Sequence, residues 1–344
     1  MKKSVKKIII AISVLALGAA IFFGIAQVSA RPVRESNGKT VATDVKTADK
    51  TRDDFKNILV LGTDRQAGLC DVMMLVNVNF TKNRATVAHI PRDTYAKYTD
   101  GSYKKLNGAY NTLGGARQAA DFLSDAMGLE IHHYVCVGLD TVAEVVDAVG
   151  GVDVRLPCDM SYRDPEQGLY IDLEKGVRHL DGALAEKFVR FRSSYVQGDL
   201  GRIDAQKLFL AAFFEKISSE LSPALILKLT EAARGVETDL AVSDLLSMGV
   251  RCLGMDGGDI GFVTLPGREA VATESGAWYY VLSRASAEEL MTSYFNAEDS
   301  FDKKGVFFNG QYKSFADIYD GYEQYSVTEL DDIAKNGIDI QIKT

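Results

Sequence analysis

The amino-acid sequence predicts an α/β protein, a three-layer α/β/α sandwich with a central mixed sheet, preceded by one N-terminal transmembrane helix. Three observations carry that expectation. A long uncharged apolar run follows a cluster of lysines at the N-terminus, three strand-like apolar runs fall between residues 57 and 90, and helical and strand periods then alternate from residue 114 to residue 156. With 344 residues, 47% of them apolar, the chain can bury one large core or two small ones.

Lys2, Lys3, Lys6 and Lys7 precede the run from Ile8 to Val28. That run is about long enough to cross a bilayer, and lysines on its N-terminal side favour keeping that end in the cytoplasm. Residues 1–30 are therefore read as a single-pass anchor in the cell membrane, with the rest outside. Val28-Ser29-Ala30 also resembles a cleavage site, so a removable signal peptide is the alternative, and both readings export the remainder of the chain. Residues 31–54 are polar and without period, a spacer. The ordered domain is placed at 55–295, and 296–344 reads as a weakly patterned tail.

Asn57 to Leu61, Asp71 to Asn79 and Arg84 to Ile90 read as strands, the last two joined by the turn-like Phe80-Thr81-Lys82-Asn83. Gly114 to Met127 has helical spacing, Ile131 to Val137 is a strand, Leu139 to Val149 a helix stopped by Gly150-Gly151, and Asp153 to Leu156 a strand. Asp181 to Phe188 and about Leu200 to Ser218 are helices. Beyond Leu221 the pattern is mainly helical, with a strand at Asp259 to Leu265, a turn at Pro266-Gly267 and an apolar run at Trp278 to Leu282. The mixture places helices on both faces of one sheet.

The net charge is −8, and the leader holds four lysines and no acid, so the exported part is more acidic still. An acidic extracytoplasmic domain without a helix-turn-helix pattern argues against nucleic acid as a partner. Cys70, Cys136, Cys158 and Cys252 are too few and scattered for a disulfide scaffold, and none forms a Cys-x-x-Cys pair. A Cys136–Cys158 pair and buried free thiols are both compatible with the spacing. The four histidines, His132 and His133 among them, show no metal-ligand spacing.

The chemistry-bearing positions are arginines and aspartates. Leu59-Val60-Leu61 delivers Gly62, Asp64 and Arg65 past a strand end, the usual ligand side of an open α/β sheet. Asp71 begins the next strand, where it and Asp64 can converge on one hard cation, Mg2+ or Mn2+, or simply cap turns. Ile90-Pro91-Arg92-Asp93 presents Arg92 and Asp93 beyond a proline that stiffens the strand exit, though taken alone the motif is better read as a surface salt bridge. Arg190-Phe191-Arg192, read as extended, sets both guanidinium groups on one side with Phe191 facing the core. Asp199 falls near a helix start, with Arg202 and Gln206 one turn apart on one face. Guanidinium forks in this number suit a ligand with several phosphate charges.

In order, Leu61-Gly62-Thr63-Asp64-Arg65, Asp71, Ile90-Pro91-Arg92-Asp93-Thr94-Tyr95, Lys105-Leu106-Asn107-Gly108-Ala109-Tyr110, Val146 to Val154, Leu180-Asp181-Gly182, Val189-Arg190-Phe191-Arg192 and Asp199-Leu200-Gly201-Arg202 form a series. It resembles the LytR-CpsA-Psr family, also called the cell envelope-related transcriptional attenuator domain, over about residues 55–220. The resemblance implies an extracytoplasmic phosphotransferase that moves a cell-wall glycopolymer, a teichoic acid or capsular polysaccharide, from a polyprenyl diphosphate carrier onto peptidoglycan. It implies a lipid held in an apolar pocket between sheet and helices, with the diphosphate at its mouth. Asp64 and Asp71 match the metal-associated acids. Arg65, Arg92, Arg190, Arg192, Arg202 and Gln206 match the phosphate-binding set, and Asp199 an acid that orients the arginines.

Two positions depart from the pattern of many members, which have Arg-Ser-Asp at Leu69-Cys70-Asp71 and Arg-Gln at Ala205-Gln206. Each removes one arginine from the pocket mouth. The implied reaction is attack of a muramic acid 6-hydroxyl on the phosphorus joined to the sugar, with Asp64 or Asp71 able to take the proton. Hydrolysis of the lipid diphosphate would use the same residues, and a non-catalytic envelope regulator is the third class.

Overall fold

The computed structural model describes residues 54–343, apart from 65–67, 166–167, 221, 242–243, 245–247, 249–250, 252–254, 274, 309–314 and 316–321. The expected anchor at 1–30 and nearly all of the spacer lie outside these. Among the described residues, no helix is long and apolar enough to cross a membrane.

The elements run β1 (Phe55–Asp64), β2 (Leu69–Asn79), β3 (Arg84–His89), β4 (Tyr95–Lys97), β5 (Tyr103–Lys105), α1 (Ala109–Leu113), α2 (Ala116–Met127), β6 (His133–Gly138), α3 (Leu139–Ala148) and β7 (Val152–Leu156). Next come β8 (Met160–Asp164), β9 (Leu169–Leu173), β10 (Gly176–Leu180), α4 (Gly182–Arg190), α5 (Asp199–Glu220), α6 (Pro223–Ala232) and β11 (Glu237–Thr238). The last are β12 (Ile260–Thr264), β13 (Gly267–Val271), β14 (Trp278–Leu282), α7 (Arg284–Phe295), β15 (Thr328–Glu329) and α8 (Leu330–Asn336).

Seven strands form the central sheet in the order β11-β6-β1-β2-β3-β12-β15. It is mixed: β1 runs parallel to β6 and antiparallel to β2, and β3 runs antiparallel to β2 and parallel to β12. Alternation along β1 shows how one strand serves two cores. Ile58 and Val60 join the cluster that includes α3, α4, α5, α6 and α8, and Leu59 and Leu61 join the one that includes α2 and α7. Helices therefore cover both faces, as the sequence predicts.

Three features of the fold were not anticipated. Small two-stranded ribbons, β7–β10, β8–β9, β4–β5 and β13–β14, flank the sheet. The stretch read as a weakly patterned tail buries Phe301, Phe307 and Phe315, and its β15 pairs with β12 through Thr328 and Glu329. Arg190 is the last residue of α4 and not part of an extended segment, because Asp181 caps that helix by accepting from the Leu184 amide at 2.8 Å and the apolar period carries through to Phe188. Only at Phe191 does the backbone turn extended, and that ring is buried.

Cys70, Cys136 and Cys158 are buried free thiols, and Cys252 lies outside the described residues. Burial pushes the Cys70 thiol up to about 12, so it stays protonated and inert.

Candidate functional site

The site begins with a fault in the ladder between β1 and β2. Gly62 faces Val72 and Thr63 faces Cys70, leaving Asp71 as an extra residue, a β-bulge. In a regular strand neighbouring side chains point to opposite faces. Here Asp71 and Val72 both line one cavity, while Cys70 returns to the opposite core. The bulge thereby puts a carboxylate, 37% exposed, at the rim of an apolar space.

Above that rim Arg92 and Arg202 converge on two acids. Arg92 donates to the Asp71 carboxylate through Nη1, and its Nε lies 3.2 Å from Asp199 Oδ1. Arg202, 5% exposed, sets Nη2 2.5 Å from the same Asp199 oxygen and donates to the Asp71 carbonyl at 3.2 Å. The β2 bulge, the segment after β3 and the first turn of α5 are thus tied by one network.

Charge holds this cluster more than hydrogen-bond alignment does. Asp199 Oδ1 and Oδ2, Arg92 Nε and Arg202 Nε are buried without an aligned partner. Burial raises the Asp199 pKa against the pull of Arg202 and Arg92, and burial lowers that of Arg202 against Asp199. Burial also opposes the charge on Arg92, but Asp199 and Asp71 outweigh it and raise its pKa. A buried donor left unmet costs about 1–3 kcal/mol, which an incoming anion can recover.

Beneath the cluster is a cavity of ≈ 140 Å³ between the sheet and helices α3 and α5. Val60, Val142, Val146, Phe209, Leu210 and Phe213 make its wall apolar. Polar side chains reach it as well, among them Asp71, Gln206 and His89. Gln206 donates to the Val189 carbonyl at 3.1 Å, fastening α5 to α4. His89 is 1% exposed and neither ring nitrogen has an aligned hydrogen bond.

Of the positions singled out in the sequence, Asp71, Arg92, Asp199 and Arg202 meet directly. Gln206 lines the cavity as a tie between helices. Arg192 is exposed and acts on Asp199 and Arg202 through its charge. Arg190 pairs with Glu186 one turn earlier at 2.9 Å. Arg65 and the Asp64 side chain lie outside the described residues.

Among the described residues no three His, Cys, Asp or Glu side chains gather as a metal cluster. The donor chemistry nevertheless fits a hard cation. Asp71 offers carboxylate oxygens at the rim, and Asp64 closes β1 beside the bulge.

Gly201 fixes where α5 starts. A Cβ there would stand 2.6 Å from Tyr195 Cβ, and Tyr195 is fully buried, so it cannot yield. Gly201→Ala is expected to displace the first turn with Arg202 on it, costing about 1–3 kcal/mol of stability. Urea denaturation would read the loss, and an unchanged midpoint would disprove the tight fit.

On the far side of Asp199 lies a smaller recess of ≈ 30 Å³, walled by Pro91, Asp93, Asp199 and Leu200 and by Glu269, Trp278, Tyr279 and Tyr280 of the β13–β14 ribbon. The Tyr280 amide donates to the Asp93 carbonyl at 2.9 Å, which joins the ribbon to the segment carrying Arg92. Nothing in the local sequence of 267–282 marks it as adjoining residues 91–93.

Fold and site together define an α/β/α protein with two arginines paired to acids at the rim of an apolar cavity. The chain belongs to the LytR_cpsA_psr family, whose model matches residues 24–296. It is 29% identical over 241 residues to the polyisoprenyl-teichoic acid–peptidoglycan teichoic acid transferase TagV of Bacillus subtilis (strain 168), covering 69% of this chain but only 61% of that relative. The corresponding TagU transferase of Oceanobacillus iheyensis is 30% identical over 239 residues, covering 67% of this chain and 72% of its own. The crystal structure of B. subtilis TagV superposes with a TM-score of 0.62 at 27% identity, over 72% of this chain and 98% of that one.

Proposed function

We propose that this protein is an extracytoplasmic transferase that takes a glycopolymer of teichoic acid or capsular type from a polyprenyl diphosphate carrier and joins it to peptidoglycan. The observation that carries the reading is that Asp71, whose carboxylate takes Arg92 and whose carbonyl takes Arg202, lines the apolar cavity: a charged head and a hydrocarbon tail need those two environments side by side. The names of the TagV and TagU relatives support it. The apolar run at 8–28 supports attachment to the membrane that holds the lipid.

In this reading the acceptor hydroxyl attacks the phosphorus attached to the sugar. A new phosphorus–oxygen bond forms, the bond to the bridging oxygen breaks, polyprenyl phosphate leaves with that electron pair, and the hydroxyl's proton passes to Asp64 or Asp71. Arg92 and Arg202, held in place by Asp199, stabilise charge on the phosphoryl oxygens, and Arg192, Arg190 and Arg65 add to the positive field. Asp71 with Asp64 would hold Mg2+ or Mn2+, which supplies further positive charge there. The leaving lipid stays in the cavity between α3 and α5.

The cavity assignment is tested by filling it. Val142→Phe adds volume into open space, so stability should change by less than about 1 kcal/mol while binding of a polyprenyl diphosphate donor falls at least about tenfold. Unaltered donor binding by a folded variant would move the lipid elsewhere. Product analysis with and without peptidoglycan distinguishes transfer from hydrolysis.

A further inference from the structure

The ribbon face beside Asp199 has a composition opposite to that of the arginine cluster. Glu269 pairs directly with Tyr280 and Val271 with Trp278, so Glu269, Tyr280 and Trp278 lie on one face of the ribbon. Tyr280 is buried, its hydroxyl spent on the Leu265 carbonyl at 2.8 Å. Trp278 is different: its indole is 60% exposed, at the rim of the recess with Glu269, Asp93 and Asp199.

Three carboxylates give this recess hydrogen-bond acceptors: Asp93 is paired with Lys105 at 3.2 Å, Asp199 with Arg202 and Arg92 on its other side, and Glu269 stands on the ribbon. A neutral molecule rich in hydroxyl donors is favoured. The volume admits one hydroxyl and not a ring, so the body of such a molecule must lie outside, where the flat indole stands. The axial C–H bonds of a pyranose ring carry partial positive charge and suit the electron-rich face of an indole.

We infer that Glu269 and Trp278 form the acceptor subsite, where a neutral hexosamine of a peptidoglycan glycan strand stacks on Trp278 and places a hydroxyl among Glu269, Asp93 and Asp199. The inference rests on the transferase reading above and adds the second substrate's position. Asp199 is the shared wall: one side meets the arginines that take the diphosphate, and the other meets the recess that takes the hydroxyl. Burial, followed by the charges of Asp199 and Asp93, raises the Glu269 pKa, which makes that carboxylate readier to accept a hydroxyl's proton in a hydrogen bond.

Trp278 is the chain's single tryptophan, so its fluorescence reports this place alone. The full-length protein would be titrated with soluble uncrosslinked glycan strands released from peptidoglycan, with inorganic diphosphate as the comparison. The glycan should shift the emission to the blue saturably and diphosphate should not. Glu269→Gln should weaken glycan binding at least about fivefold, and Trp278→Ala, followed by calorimetry, at least about tenfold, with binding of the polyprenyl diphosphate donor within twofold of wild type. An emission unmoved by glycan in protein that still binds donor would overturn the subsite and leave the donor reading standing. Failure to bind donor would instead count against the transferase reading, whatever the tryptophan does.

Discussion

Replacing Arg202 with methionine should lower transfer from a lipid-linked donor by about two to three orders of magnitude, the usual effect of removing one preorganised contact to a developing charge. It should also destabilise the fold by about 3–5 kcal/mol, because Asp199 keeps its charge in a buried place with its closest partner gone. The two losses have separate causes and can be told apart. Asp199→Leu combined with Arg202→Met removes both charges, so most of the stability should return while activity stays absent. Urea denaturation and a transfer assay on the three variants decide the matter. Activity recovering in step with stability would mean that Arg202 only supports the structure.

Acid should weaken this protein through His89. Burial, reinforced by the charge of Lys207, pushes its imidazole down from 6.5 to about 3. Above pH 6.5 the ring is neutral whether the chain is folded or unfolded, and it adds no pH dependence. Between pH 6.5 and about 3 the unfolded chain binds a proton that the folded protein refuses, so stability falls with pH by about 1.4 kcal/mol per unit. Lys207 stays where it is, held by Asp204 at 2.9 Å and Thr264 at 2.8 Å. His89→Leu fills the same place without a titrating group and should be as stable as wild type at pH 7.5. The difference between the two proteins, measured by denaturation from pH 7.5 to 4.5, should grow steadily as the pH falls. A constant difference would show that His89 takes up its proton in the folded state.

The strands and helices of the central layers were legible in the sequence because each shows one period over its whole length. Leu59 and Leu61 against Ile58 and Val60, or the helical spacing of 116–127, need no knowledge of distant residues. Asp71 marks where that reading stops. Alternation assigns it and Val72 to opposite faces, and only the offset pairing of β1 with β2 brings both to the cavity. Arg190 was misplaced for a related reason: Arg190-Phe191-Arg192 fits an extended period, yet α4 runs past Phe188 to Arg190 and leaves that residue beside Glu186.

Long-range placement was out of reach altogether. That Arg92, Asp199 and Arg202 act as a set was readable as chemistry, whereas Glu269 and Trp278 gain meaning only from the bridge between Thr94 and Tyr280. His89 is the same kind of case. A lone histidine before Ile90-Pro91 gives no hint that it is fully buried at the wall of an apolar hollow.

The outermost strands of the main sheet, β11 and β15, are each two residues long. So brief a border offers few open peptide groups to a neighbouring molecule, a safeguard against edge-to-edge association. β15 reaches β12 from far along the chain, at Thr328 and Glu329, so during synthesis the flank of β12 stays bare until that segment emerges. The growing polypeptide therefore passes through a stage at which one side of its sheet is open to pairing with other chains.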